Sequence, residues 1–224
     1  MLIAQTKEFE IKNLRITEIF YSLQGEARTS GLPTVFVRLT GCPLRCQYCD
    51  TAYAFSGGEM TPIAEIVDKV KAFGARYVTV TGGEPLAQPD CHALLVQLCD
   101  DGMQVSLETS GALDISQVDE RVSIVLDLKT PASGESSRNL YSNIPLLATK
   151  DQVKFVICDR QDFQWASFKV REFNLLQRVG DVLFSPSVGQ QDATELAEWI
   201  LTEKLPVRFQ MQLHKILWGD KPGV

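Results

Sequence analysis

Three cysteines, Cys42, Cys46 and Cys49, fall within eight positions of the run "TGCPLRCQYCDT" (40–51), directly after the apolar stretch "TVFVRL". Thiols this close together hold a metal, pair with one another or react. A closed zinc site takes four protein ligands, and the two histidines, His92 and His214, are distant in sequence. A redox Cys-x2-Cys pair would use Cys46 and Cys49 and leave Cys42 without a role. Three thiolates suit a cubane iron–sulfur cluster, whose four irons ordinarily take four cysteines, so one iron would stay open to a small molecule. A second motif, "TGGEP" (81–85), also has the makings of a ligand turn. Gly82 and Gly83 put no Cβ in the way of a close approach, and Glu84 offers an acceptor to an ammonium group.

The elements that must position these groups are legible as short β-branched runs: 34–40, 76–81, 103–108, 122–128, 152–157, 181–186 and 206–212. Most read as apolar on both faces. Between them, 61–73, 90–102 and 192–203 have helical periodicity, the first with Thr61 as a cap ahead of Pro62. Strands alternating with helices of this length predict an α/β protein of βαβ units around a parallel sheet. Six such units are too few for a closed eight-stranded barrel, which leaves a partial, open barrel or a wound sheet. Both architectures collect functional residues at the C-terminal ends of strands, where "TGCPLRC", "TGGEP", "ETSG", "DLKTP" and "SPSVG" all lie. The polar stretch 131–145, punctuated by Gly and Pro, reads as a surface loop or lid.

At 224 residues the expectation is one domain spanning 1–224. A net charge of -6 with scattered Lys and Arg argues against nucleic acid and for a small-molecule substrate. No apolar run approaches the ~20 residues of a membrane span, and the N-terminus does not read as a secretory signal, so the expected location is the cytoplasm. A reducing compartment turns six cysteines away from disulfides; Cys91, Cys99 and Cys158 read as buried small hydrophobes.

With Cys42, Cys46, Tyr48 and Cys49, the cysteine run resembles the signature of the radical S-adenosylmethionine (SAM) enzymes, Cys-x3-Cys-x2-Cys with an aromatic before the last cysteine. The resemblance implies a partial, open (β/α)6 barrel of the radical SAM type, with a 4Fe-4S cluster whose open iron chelates SAM and an electron that cleaves it to a 5'-deoxyadenosyl radical. "LQGE", a Pro, a strand ending in Arg just before the first cysteine, and "CDT" after the last narrow this to the 7-carboxy-7-deazaguanine synthase family, over residues 16 to the "HKILWGD" tail. That resemblance implies a carbon–nitrogen lyase of queuosine biosynthesis. It contracts 6-carboxy-5,6,7,8-tetrahydropterin to 7-carboxy-7-deazaguanine with loss of ammonia, regenerating SAM. It also implies Mg2+, an electron donor such as flavodoxin or ferredoxin, and a homodimer.

Carried over residue by residue, the resemblance assigns the cluster to Cys42, Cys46 and Cys49. Leu23, Gln24, Gly25, Arg38 and Thr81 go to the substrate, with Arg38 on its carboxylate. Thr51 is assigned to Mg2+, with Asp50 as a partner behind it. SAM would be met by Tyr48, Gly83, Glu84, Glu108, Asp127, Leu128 and Lys129, and its adenine by Ser185, Pro186, Ser187 and Val188. The family often has Asn at Ser110 and Ser at Asp127. No side chain is assigned bond-making chemistry beyond the cluster and cofactor. His214 reads as a packing or capping residue, with proton carriage as the alternative. The competing function is an activase that takes hydrogen from a glycyl radical enzyme, which needs neither "LQGE" nor Arg38.

Overall fold

The computed structural model describes residues 12–219, 221 and 223; the C-terminal Pro222 and Val224, whose reach toward the substrate was left open by the sequence, lie outside them. Its strands are β1 (Asn13–Leu23), β2 (Pro33–Leu39), β3 (Glu59–Pro62), β4 (Tyr77–Gly82), β5 (Gln104–Thr109), β6 (Ser123–Asp127), β7 (Gln152–Ile157), β8 (Asp181–Pro186) and β9 (Arg208–Phe209). They form one open sheet in the order β3-β1-β2-β4-β5-β6-β7-β8-β9. From β2 to β9 every neighbouring pair is parallel, so the expected open parallel arc is present.

Several points differ from the sequence expectation. β1 and β3 form an antiparallel margin beside β2. The strand expected over 206–212 holds only two residues of ladder before the chain turns into a helix. Thr61 does not cap a helix: it sits in β3, and Pro62 takes the N-cap of α1 (Ile63–Ala72). And two crossovers contain no α-helix. α1, α2 (Cys91–Asp100), α3 (Arg160–Glu172) with the short α4 (Leu175–Arg178), and α5 (Ala193–Thr202) link successive strands, and α6 (Leu213–Trp218) closes the described chain. The link from β5 to β6 is a loop, and that from β6 to β7 is loops and 3-10 turns, where Pro131, Gly134 and Pro145 interrupt any helix.

The strands are not apolar on both faces. Alternate residues point to opposite sides of a sheet, and one side carries Val35, Val37, Val78, Val80, Leu107 and Leu126, all fully buried in the core with the helices. The other side carries Arg38, Thr81, Glu108, Asp127, Lys154 and Ser185, which face a cavity of about 600 Å3. Across the core, Phe163 of α3 packs edge-on against Phe184 of β8 and tilted against Trp199 of α5. Burying each such ring stabilises by roughly 1.5–3 kcal/mol. Polar strand residues survive inside because the arc stays open and encloses a solvated space.

Candidate active site

The cysteine loop leaves β2 and is tied to the end of β4. Gly83 N–H donates to Leu39 O at 3.1 Å and Glu84 N–H to Gly41 O at 2.8 Å. At Gly83 an added Cβ would lie 2.3 Å from Gly41 O and 2.9 Å from Cys42 Cβ, so glycine is needed for the two loops to touch. The sequence had read that space as room for a ligand; its occupant is the cysteine loop itself. Leu44, 1% exposed, anchors the loop below, and Cys42, Cys46 and Cys49 stand half-buried as free thiols on the cavity wall. Burial pushes the Cys46 thiol up to about 11 and that of Cys42 upward, and Cys49 raises both further, while Lys129 opposes the shift. Thiolates in such a place call for a cationic centre to neutralise them.

Beside the cysteines, Lys129 Nζ pairs with Asp127 Oδ2 at 3.0 Å. Burial alone would lower the lysine's pKa, but Asp127 and Cys46 more than offset it and hold the ammonium charged. Asp127 Oδ1 and the Tyr48 hydroxyl are buried on this wall without a hydrogen-bond partner. A buried polar atom left unpaired costs about 1–3 kcal/mol, so both point to a polar ligand. Ser185 and Ser187 also line the cavity, but their hydroxyls are taken by Gln210 O and Gln190 Oε1. Pro186 and Val188 complete that edge.

At the margin of the sheet, a β-bulge between Ile16 and Glu18 sets Glu18 across from Arg38; bulges of this kind re-aim side chains. Arg38 Nε donates to Glu18 Oε1 at 2.7 Å, and the Tyr53 hydroxyl donates to the same oxygen at 2.8 Å. Arg38 lines the cavity with its guanidinium 5.8 Å from the ring centres of Phe20 and Tyr53, and among the described residues its terminal nitrogens make no hydrogen bond. Gln24, 2% exposed, donates from Nε2 to Thr79 Oγ1 at 3.0 Å and to Glu108 Oε1 at 3.4 Å. Thr81 Oγ1 donates to Glu108 Oε2 at 3.1 Å. Burial, and then the nearby Glu26, raise the Glu108 carboxyl above its ordinary range. Leu23 and Gly25 close this end, Gly25 lying so near His214 that an added Cβ would meet Nδ1 at 2.1 Å.

A model of the radical SAM superfamily matches residues 36–133. The chain is 43% identical over 215 residues to the 7-carboxy-7-deazaguanine synthase of Chlorobaculum tepidum, covering 94% of this chain and 97% of that one. It is 41% identical over 208 residues to the synthase of Methanospirillum hungatei, covering 91% and 85% respectively. The chain belongs to the 7-carboxy-7-deazaguanine synthase family. In fold it is similar to the crystal structure of QueE from Escherichia coli, with a TM-score of 0.73 at 21% identity, covering 90% of this chain and 95% of that one.

Two residues assigned by family resemblance do not reach the cavity. Leu128 is fully buried in the core, on the opposite face from its neighbours Asp127 and Lys129, as strand alternation requires. Glu84 has zero exposure. Its carboxylate accepts from Leu86 N–H, Thr109 Oγ1, Ser110 N–H and Ser110 Oγ at 2.5–3.0 Å, a tie joining the ends of β4 and β5 rather than an acceptor for an ammonium group. Glu108, assigned to SAM, shares its hydrogen bonds with Gln24 and Thr81, two residues that the resemblance assigned to the substrate. Thr51 does line the cavity, its hydroxyl donating to Asp50 Oδ1 at 2.7 Å. Burial would raise the Asp50 carboxyl, but the Thr51 hydroxyl, Lys154 and Gln212 outweigh it and hold it below its ordinary value.

Sequence reasoning missed a charged group at the base of the cavity. Lys154 Nζ contacts Glu26 Oε2, while Gln212 Nε2 bridges Glu26 Oε1 at 2.7 Å and Asp50 Oδ2 at 3.1 Å. The signal available was a lysine inside the apolar run "QVKFVI", which needs a buried partner.

Proposed function

We propose that this chain catalyses the radical ring contraction of 6-carboxy-5,6,7,8-tetrahydropterin to 7-carboxy-7-deazaguanine with release of ammonia, in queuosine and related 7-deazapurine biosynthesis. The observation that carries the reading is one cavity lined by three thiols and by the guanidinium-bearing Arg38, in a chain 43% identical to a named synthase. Cys42, Cys46 and Cys49 would hold the 4Fe-4S cluster, and the unpaired Tyr48 hydroxyl and Asp127 Oδ1 fit a polar cofactor beside it. When bound, the cluster and SAM together supply the electron and the carbon-centred radical that abstracts hydrogen from the pterin.

The chain's own work is placement. Arg38, steadied at Nε by Glu18, offers its two terminal nitrogens to the substrate carboxylate, the fork geometry that suits such a group. Glu108, with Gln24 and Thr81 behind it, presents acceptors to the donor edge of a pterin. Because its carboxyl is raised, it also holds a proton to higher pH than an exposed glutamate. Thr51 and the charged Asp50 suit Mg2+, a hard ion that takes oxygen ligands and keeps waters. Lys129, Ser185, Pro186, Ser187, Val188 and Gly83 border the SAM side.

The electron donor is proposed to be a flavodoxin or ferredoxin, and the assembly a homodimer; sedimentation tests the latter. No helix among the described residues is long and apolar enough to cross a membrane. Relatives at 34–43% identity carry the synthase name, not that of a glycyl radical activase. The deciding experiment is anaerobic reconstitution with reductant, SAM, Mg2+ and carboxytetrahydropterin. Deazaguanine acid and ammonia are expected; 5'-deoxyadenosine without the deazapurine would reject the substrate.

A further inference from the structure

The cysteine loop has few bonds of its own. Cys49 N–H donates to Cys46 O at 3.2 Å, and Arg45 Nη1 donates to Cys42 O and Leu44 O at 2.7 and 2.6 Å. The stretch that faces it, after β6, is the one whose composition suggested a lid. Instead it is pinned. Asp162, 1% exposed in the first turn of α3, accepts from Thr130 Oγ1 at 2.9 Å, Ala132 N–H at 3.0 Å and Cys158 N–H at 3.1 Å. Ser133 Oγ donates to Thr130 O at 2.6 Å and accepts from Glu135 N–H at 3.0 Å.

From this anchored turn two hydrogen bonds reach across to the cysteine loop. Gln47 N–H donates to Ser133 O at 3.0 Å, and Arg45 N–H donates to Glu135 Oε1 at 2.6 Å. Arg45 and Gln47 flank Cys46, so the middle cysteine is gripped from both sides by a segment about 90 residues further along the chain. The Ser133 contact is backbone to backbone. The Glu135 contact is charge-assisted, uses a side chain, and places a carboxylate beside the loop on its outer side.

We propose that Glu135 is a positioning residue for the metal centre. It fixes the backbone ahead of Cys46 and biases the electrostatics of whatever Cys46 ligates. The two contributions separate by substitution. Glu135→Gln keeps an acceptor for Arg45 N–H and removes the charge; Glu135→Ala removes both. A negative charge nearby disfavours adding an electron, so its removal makes reduction easier.

This inference rests on the cysteines being cluster ligands, and wild-type reconstitution tests that separately. If the wild type takes up no iron and sulfide, the functional reading fails; if it does and the variants match it, only this inference fails. The measurements are cluster potential by anaerobic dye titration, iron loss to an excess of chelator, and thermal melting of each apo-protein. Glu135→Gln is expected to raise the midpoint potential with iron loss near the wild-type rate. Glu135→Ala is expected to raise the potential likewise and to lose iron about five- to tenfold faster, the scale of an ordinary hydrogen bond, because exposure of this contact offsets the gain from its charge. Unchanged potentials in both variants overturn the electrostatic part. Iron loss from Glu135→Ala at the wild-type rate, or acceleration that merely tracks a lowered melting temperature, overturns the positioning part.

Discussion

Arg38→Lys keeps the positive charge in the cavity lining and removes the fork. In the native chain Nε is committed to Glu18 Oε1 at 2.7 Å, which leaves the two terminal nitrogens of this cavity-lining residue for the proposed substrate carboxylate. A lysine ammonium can reach either Glu18 or the substrate carboxylate well, but cannot meet both oxygens of the latter in a fixed plane. The loss is therefore one charge-assisted hydrogen bond on the substrate side, about 1.5–3 kcal/mol. At 1.4 kcal/mol per factor of ten, this is a ~10- to 150-fold fall in kcat/KM. Tyr53 still donates to Glu18, so that carboxylate is not stranded and the fold should hold. The assay pairs anaerobic turnover of the carboxypterin with calorimetric binding of a tetrahydropterin lacking the 6-carboxylate. The variant should bind this analogue as the wild type does while its affinity for the true substrate falls. An equal loss of affinity for both ligands would refute the assignment of Arg38 to the carboxylate.

Gly83→Ala drives a methyl to within 2.3 Å of Gly41 O; the cysteine loop must shift, and anaerobic reconstitution should yield less than the wild-type four irons per chain while far-ultraviolet dichroism stays native. Glu84→Ala leaves the donors of Thr109, Ser110 and Leu86 buried without an acceptor, and chemical denaturation should report a loss of at least ~3 kcal/mol. Glu108 has a raised carboxyl pKa in the folded chain, so above its ordinary value of 4.5 the folded state holds the proton more firmly than the unfolded chain does. Stability from this group therefore falls as pH climbs from about 4.5 toward the raised value. Glu108→Gln should flatten that slope in melts across pH, and an unchanged slope would assign the effect elsewhere.

How much of this was legible in the sequence depends on whether partners sit near one another along the chain. Cys42, Cys46 and Cys49 share one loop, so their grouping could be read from spacing; Gly83 was located by following a strand directly, but its close approach to Gly41 and Cys42 was not. The loops at the strand ends were found for the same reason. Glu26, Lys154 and Gln212 were not, because their contacts join positions 128 and 186 residues apart. Helix α3 was hidden by its charges, although Phe163, Ala166 and Val170 do form its buried stripe. A family motif located the stretches 81–85 and 127–129 but not the facing of each side chain. Alternation sends Leu128 into the core, and Glu84 turns inward because four internal donors converge on it.

The bridge from Gln212 to Glu26 and Asp50 has a consequence for biogenesis. Its partners are separated by 186 and 162 residues, and contacts so remote in sequence are the costliest to close and tend to form late. During synthesis the thiol-bearing loop emerges long before Gln212, ahead of α6, exists to tie the base of the cavity. The nascent chain thus passes through a stage in which Glu26 and Asp50 are already made while the amide that ties them together is not.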